Sequence, residues 1–240
     1  MPDFFTVANL FFGFFSVIKT IEGQYSSAAW FIILAIICDG IDGKLARISG
    51  IESRFGHIFD TLSDLLSSGL APGFLIYYSR FSIAPAIGIP VTFVYILAGA
   101  YRLARFQVMQ AGKQPKGYCG LPIPVSGITI ASLWIFYYPA ARIIPAFWWV
   151  GLFLGLSLLM VTTIEYDWPR IRFKGKWMHS AFSIVMMVCV LAFVVFPQYT
   201  LFPFFLLYIL WGLAKYGWHV VTGESALSDL FAAGRIRMEK

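Results

Sequence analysis

The chain has 240 residues, of which 59% are hydrophobic and only 12% are charged, and its formal net charge is +6. Soluble domains carry about 25% charged residues, so the composition excludes an ordinary soluble protein and indicates an integral membrane protein. The Lys and Arg residues lie in short gaps between apolar runs, which favours a membrane-topology signal over a nucleic-acid-binding surface.

Apolar runs predict an all-α membrane protein with about eight transmembrane helices, because a helix needs roughly 20 apolar residues to cross the hydrocarbon core. The N-terminus lacks the basic segment of a signal peptide, so the first run is expected to remain as a span. In chain order the runs are approximately Phe4–Ile18, Ala28–Cys38, Ile58–Tyr78, Pro85–Ala104, Ile123–Tyr138, Ala146–Ile164, Met178–Phe196 and Leu201–Leu213.

The second run is short, and we expect it to continue as a helix through Asp39–Arg47 with its polar end in water. Six spans are the alternative, if two weak runs lie at the interface. No soluble-domain boundary is visible, so residues 1–240 are predicted to form a single membrane domain. The basic tail, residues 223–240, is either a short interfacial helix or a frayed terminus.

The distribution of basic residues predicts the orientation. With eight spans, fifteen Lys and Arg residues fall on one side and three, Lys19, Arg80 and Arg142, on the other. Loops rich in Lys and Arg stay in the cytoplasm. Both termini are therefore expected to be cytoplasmic in a multi-pass protein of the cell membrane.

Four aspartates stand out in this acid-poor chain. Asp39 and Asp42 are three residues apart, and Asp60 and Asp64 are four apart, so each pair shares one face of a helix. Residues 47–56 form a reasonable turn, and a helical hairpin would then bring the four carboxylates together near the cytoplasmic surface. A single acid at a span end is usually solvated or ion-paired, but a spaced set at a membrane edge is costly and indicates function.

Two divalent cations would neutralise such a cluster. Mg²⁺ and Mn²⁺ prefer oxygen ligands, and a two-metal site suits displacement at phosphorus. Gly43 and Ala46 are small enough to let a diphosphate approach the helix, and Arg47 is placed to meet a phosphate.

The stretch reads D-x2-D-G-x2-A-R-x8-G-x3-D-x3-D from Asp39 to Asp64. This pattern resembles the signature of the CDP-alcohol phosphotransferase family, with every fixed position filled. The resemblance implies a membrane enzyme that moves a phosphatidyl-type group from a CDP-linked lipid to an alcohol and releases CMP. It implies metal roles for Asp39, Asp42, Asp60 and Asp64, with Asp64 also as the base on the acceptor hydroxyl. It further implies diphosphate contacts for Gly43, Arg47 and Ser53, close helix packing at Gly56, and a homodimer.

The opening PDFFTVANLFFGFFSV is similar to the P-N-x-x-T-x-x-N-x-x-x-G opening of the phosphatidylserine synthases within that family, although Asp3 replaces the usual Asn. Thr6 and Asn9 match it and are expected to face the CDP-lipid site. Simpler roles are helix capping for Thr6 and an interhelical hydrogen bond for Asn9. The segments SDLLSSGLAP, YRLARF and YCGLPIP add looser matches in the expected order.

An amino-acid acceptor brings a carboxylate, which Arg102 and Arg105 could bind at the cytoplasmic end of the fourth run; the alternatives are the lipid phosphate and positive-inside anchoring.

The leading hypothesis is transfer from CDP-diacylglycerol to L-serine with two Mg²⁺ or Mn²⁺ ions. Glycerol 3-phosphate or inositol phosphate is the alternative acceptor, although these would need more cations near the site. A divalent-cation transporter is the rival from another class, but it would need polar groups deep along several spans. A membrane scaffold without catalysis is the third reading, and the complete signature opposes it.

Overall fold

The computed structural model of the protein describes residues 3–49, 54–111, 120–137, 145–162, 164 and 196–222, and all regular structure in these residues is helical. The α-helices are α1 Asp3–Ile21, α2 Tyr25–Ser49, α3 Arg54–Asp64, α4 Ala71–Ile76, α5 Pro85–Ala111, α6 Ile123–Tyr137, α7 Ala146–Val161 and α8 Pro197–Thr222. Two π-helical segments, Leu65–Leu70 and Tyr77–Phe81, follow α3 and α4. Residues 54–81 therefore form one continuous rod, called here the α3–α4 rod.

Helix α1 shows the inverted burial of a membrane protein. Thr6, Asn9 and Ser16 are buried toward the other helices. On the opposite face, Phe4 and Phe11 are 71% and 54% exposed. An apolar outer face with polar groups turned inward is stable against lipid and not against water.

Among the described residues, three helices are long and apolar enough to cross a bilayer: Phe4–Ile21, Pro85–Met109 and Tyr199–Trp218. The predictions of an all-helical chain and of a membrane protein are confirmed for the described residues. The number of spans and the side on which the termini lie stay predictions. Of the seventh apolar run, Met178–Phe196, only Phe196 is described, and the basic tail lies outside the described residues.

Helix α2 runs unbroken from Tyr25 to Ser49, so its apolar part continues into a polar end as the sequence predicted. Helix α6 is short but central: it packs against α2, α8 and the first π-helical segment. Its side chains are buried along most of its length, including Ile123, Ile130 and Trp134. The core of the bundle therefore surrounds α6.

The bundle has two chemically different ends. At one end α2 and α3 carry the aspartates. At the other, the Tyr25 hydroxyl donates a hydrogen bond to the carbonyl of Tyr78 at 3.2 Å. There the Arg80 guanidinium lies over the rings of Trp134 and Trp149, at 5.0 and 5.7 Å from their centroids. At a helical rise of about 1.5 Å per residue, Asp60 lies roughly 30 Å from this end, which is about the thickness of the hydrocarbon core.

Candidate metal and catalytic site

Three of the four signature aspartates meet at one point. Asp39 comes from α2, and Asp60 and Asp64 come from successive turns of α3. One carboxylate oxygen from each of these residues lies within 4.8 Å of the other two. A single cation placed among them could contact all three, since hard divalent cations bind carboxylate oxygens.

Asp42 lies outside that group of three, although the signature places it one helical turn beyond Asp39. Its Oδ2 accepts a hydrogen bond from the Thr6 hydroxyl of α1. Its Oδ1 is buried and has no hydrogen-bond partner among the described residues. Asp42 is thus tied to α1 and still offers one oxygen for a ligand.

Asp64 receives a hydrogen bond from α1 as well. The Asn9 amide donates from Nδ2 to Asp64 Oδ1 at 3.1 Å. Asn9 is fully buried. Its bond to Asp64 is an interhelical hydrogen bond, which the sequence analysis gave as the simpler role of this residue. Thr6 bonds across helices too, to Asp42, and does not cap its own helix. The structure therefore directs both side chains toward the aspartates.

Burial, together with the neighbouring acids, changes the protonation of Asp39. Asp39 follows the apolar stretch of α2, at the polar end of the helix. Burial raises the pKa of its carboxyl to about 7, and the charges of Asp60 and Asp42 contribute to the rise. A bound cation would relieve this repulsion by replacing the proton.

The chemistry of the donor set fits a divalent metal. All the candidate ligands are carboxylates, and Oδ1 of Asp60, like that of Asp42, is buried without a hydrogen bond among the described residues. Buried polar oxygens are normally satisfied, so such atoms indicate a ligand that the protein itself does not supply. Asp39, Asp42, Asp60 and Asp64 are the residues that could hold Mg²⁺ or Mn²⁺.

The residues predicted to contact the CDP-lipid are only partly described. Gly43 follows Asp42 on α2, and Gly56 lies in the first turn of α3, so both border the aspartates along the chain. Ala46 and Arg47 belong to α2, but their side chains lie outside the described part, as does Ser53. Their contacts with a diphosphate stay predictions.

The two arginines predicted to bind the acceptor have different surroundings. Arg102 is 5% exposed, and its charge is close enough to attract the Asp64 carboxylate. The guanidinium of Arg105 instead donates to the carbonyls of Val161 and Thr162, at 3.0 and 3.1 Å, at the end of α7. Arg105 thus joins α5 to the C-terminus of α7, whereas the predicted role of Arg102 in binding the acceptor stays a prediction.

Sequence reasoning missed how closely the helices approach behind Asp64. A Cβ on Gly13 of α1 would lie 2.8 Å from Ser67 Cα, in the π-helical segment that begins directly after Asp64. Gln107 of α5 donates hydrogen bonds to the Thr61 hydroxyl and, at 3.4 Å, to the His57 carbonyl. The glycine in the opening motif was the one available signal, and nothing in the sequence pointed to Gln107.

The geometry defines a helical membrane protein with an acidic site at one end of the bundle. Residues 1–161 match the model of the CDP-alcohol phosphatidyltransferase family. The chain belongs to this family, and the prediction of a phospholipid-synthesising transferase of this kind is confirmed.

The curated relatives cover most of the chain. A CDP-diacylglycerol–serine O-phosphatidyltransferase of Helicobacter pylori (strain J99) is 30% identical over 219 residues, which is 90% of each protein. An archaetidylserine synthase of Methanothermobacter thermautotrophicus is 36% identical over 179 residues, covering 73% of this chain and 72% of the relative. A CDP-diacylglycerol–serine O-phosphatidyltransferase of Bacillus subtilis is 31% identical over 166 residues, covering 69% and 89%. The predicted resemblance to phosphatidylserine synthases is thereby confirmed.

Proposed function

We propose that this enzyme transfers the phosphatidyl group of CDP-diacylglycerol to the hydroxyl of L-serine, giving phosphatidylserine and CMP. The observation that carries this proposal is the convergence of Asp39, Asp60 and Asp64 within 4.8 Å in a member of this family. Relatives named for serine transfer, aligned over nine tenths of the chain, support serine as the acceptor.

In this proposal the four aspartates hold two Mg²⁺ or Mn²⁺ ions, which when bound would neutralise the diphosphate and the departing CMP. Asp64 accepts the proton of the serine hydroxyl, because an alcohol is a weak nucleophile without an adjacent base. The serine oxygen then bonds to the β-phosphorus, and the bond from that phosphorus to the CMP oxygen breaks. Asp64 has a polar partner on α1 and a cation, Arg102, nearby.

Both substrates bind at the same end of the bundle. Arg102 binds the serine carboxylate, and Thr6, Asn9, Gly43, Ala46, Arg47, Ser53 and Gly56 border the CDP-lipid. The lipid tails stay between helices in the bilayer while the phosphate reacts at the cytoplasmic interface. Residues 1–240 form one membrane domain, and the family resemblance supports a homodimer.

The proposal is tested by CMP release from purified protein with CDP-diacylglycerol, Mn²⁺ or Mg²⁺, and either serine or glycerol 3-phosphate. We expect release that depends on serine and on the metal. Asp64→Asn should lower the rate about 100- to 10,000-fold, the usual contribution of a general base. Glu22→Gln is the control, because Glu22 is an acid at the far end of the bundle, paired with Lys19.

Each alternative has its own result. CMP release that depends on glycerol 3-phosphate would show that this alcohol, and not serine, is the acceptor, and would leave the reaction class unchanged. No release with either alcohol would favour a divalent-cation transporter. Wild-type turnover by a folded Asp64→Asn variant would remove the role of Asp64 as base.

A further inference from the structure

One stripe of α1 faces the aspartates. Thr6, Asn9 and Gly13 follow one another at spacings of three and four residues, so they lie on the same side of the helix. All three are buried, in contrast to the apolar outer face of α1. The stripe therefore belongs to the interior of the site.

Each member of the stripe meets a different part of the acidic hairpin. Thr6 donates to Asp42 of α2, and Asn9 donates to Asp64 of α3 at 3.1 Å. Gly13 lies against Ser67, at the point where the rod continues beyond Asp64. The hairpin's own helices, α2 and α3, touch each other far less than each touches α1. Contacts with α1 thus link the two halves of the hairpin.

From these contacts we propose that Thr6 and Asn9 are positioning residues, which hold Asp42 and Asp64 in the orientation that binds the metal. The inference rests on the proposed function and revises it, because the sequence had assigned both residues to the CDP-lipid. A carboxylate that accepts a hydrogen bond from a neutral donor loses rotational freedom, so it offers its remaining oxygens in one direction. Such outer partners typically change metal affinity or activity by 10- to 100-fold.

The two roles predict different measurements. A positioning residue acts before any substrate is present, so its loss weakens Mn²⁺ binding to the lipid-free enzyme. It also lowers kcat while the KM for CDP-diacylglycerol changes little. A residue that contacts only the CDP-lipid raises that KM and leaves Mn²⁺ binding unchanged.

The test compares Thr6→Val and Asn9→Leu, which keep side-chain volume and remove the donor. Mn²⁺ affinity is measured by electron paramagnetic resonance without substrates, and kinetics with both substrates. We expect the Kd for Mn²⁺ to rise about 10- to 100-fold in each variant. Thr6→Ser restores the hydroxyl and should return to near the wild-type Kd.

The matched control is Ser16→Ala, on the same helix. It removes a buried hydrogen bond from Ser16 to the Ala28 carbonyl, at 2.9 Å, away from the aspartates. Its Kd for Mn²⁺ should equal that of the wild type. Thermal melting in detergent checks that each variant is folded, and Asn9→Ala replaces Asn9→Leu if the latter is not.

An unchanged Kd for Mn²⁺ in either donor-free variant overturns the proposal for that residue. A raised Kd for Mn²⁺ in Ser16→Ala would show that the loss of any hydrogen bond from α1 weakens Mn²⁺ binding, and this result would overturn the proposal as well. The binding measurement needs no turnover. It therefore still judges this inference if the wild type releases no CMP with any alcohol.

Discussion

At the scale of single residues, the structure separates two arginines that the sequence treated alike. Arg102 and Arg105 are three residues apart on α5, and both were predicted to bind the acceptor. Arg102 is buried, and its charge favours the ionised form of the Asp64 carboxyl. Arg105 is engaged by the last carbonyls of α7, an arrangement that satisfies helix-terminal acceptors and complements the helix dipole.

Replacing the two arginines should therefore have different effects on the KM for serine and on stability. We expect Arg102→Ala to raise the KM for serine about tenfold or more, because a buried cation beside the reacting end is lost. Arg105→Ala should leave that KM near wild type and lower stability by about 1 kcal/mol, the usual size of a hydrogen-bond contribution.

Steady-state kinetics with varied serine and thermal melting in detergent distinguish these outcomes. Each arginine variant serves as the control for the other, since both remove one cation from the same helix. A raised KM for serine in Arg105→Ala, with Arg102→Ala unaffected, would reverse the assignment.

At the scale of secondary structure, close packing between α1 and the α3–α4 rod positions the site. A methyl group at Gly13 would contact both Cα and Cβ of Ser67 at 2.8 Å and Leu66 Cδ2 at 2.9 Å. Backbone atoms cannot move aside as the end of a flexible side chain can. Any residue larger than glycine would push the helices apart.

Gly13→Ala is therefore expected to destabilise the protein by about 1–3 kcal/mol, the typical effect of overpacking. It should also lower kcat, because displacing α1 lengthens the bond from Asn9 to Asp64. Melting temperature and CMP release measure the two effects.

Gly151→Ala on α7 is the matched control, since a Cβ there meets nothing within 4 Å. In an exposed helix interior alanine is favoured over glycine by about 1 kcal/mol, so this variant should be as stable as the wild type or more so. Equal melting temperatures for the two glycine variants would contradict the packing argument.

The same helices show which features could be predicted from the sequence. Helical periodicity put Asp60 and Asp64 on one face, and the predicted hairpin of two helices was also needed to bring Asp39 to them. The continuation of α2 was predicted because its apolar run is too short to be a complete span. The partners of Thr6 and Asn9 could not be foreseen, since they depend on how α1 is rotated against α2 and α3, and local sequence does not encode that rotation.

At the scale of the whole molecule, the separation of the two ends determines how the protein meets the membrane. The aspartates lie at one end, and the turn after the rod, with Ile83 91% exposed, lies at the other. The positive-inside distribution predicts that the aspartate end faces the cytoplasm.

Single-cysteine labelling tests this orientation. In a background with Cys38, Cys119 and Cys189 changed to serine, Ile83→Cys should react with a membrane-impermeant maleimide in intact cells. Lys44→Cys, on the exposed polar part of α2, should react only after permeabilisation. The opposite pattern would place the aspartates outside the cell and contradict the proposed topology.

The π-helical segment Leu65–Leu70 has a consequence for the phase of the rod. A π turn contains more residues than an α turn, so this segment acts as a local insertion. Because the π turn absorbs that residue, deleting one residue from it would let the rod close as an ordinary α-helix with Arg80 in nearly its present direction relative to Asp60 and Asp64. Deleting one residue from an α-helical part of the rod would instead rotate everything beyond it by about 100°. The π turn is therefore the part of the rod that could lose a residue and keep the two ends of the molecule in register.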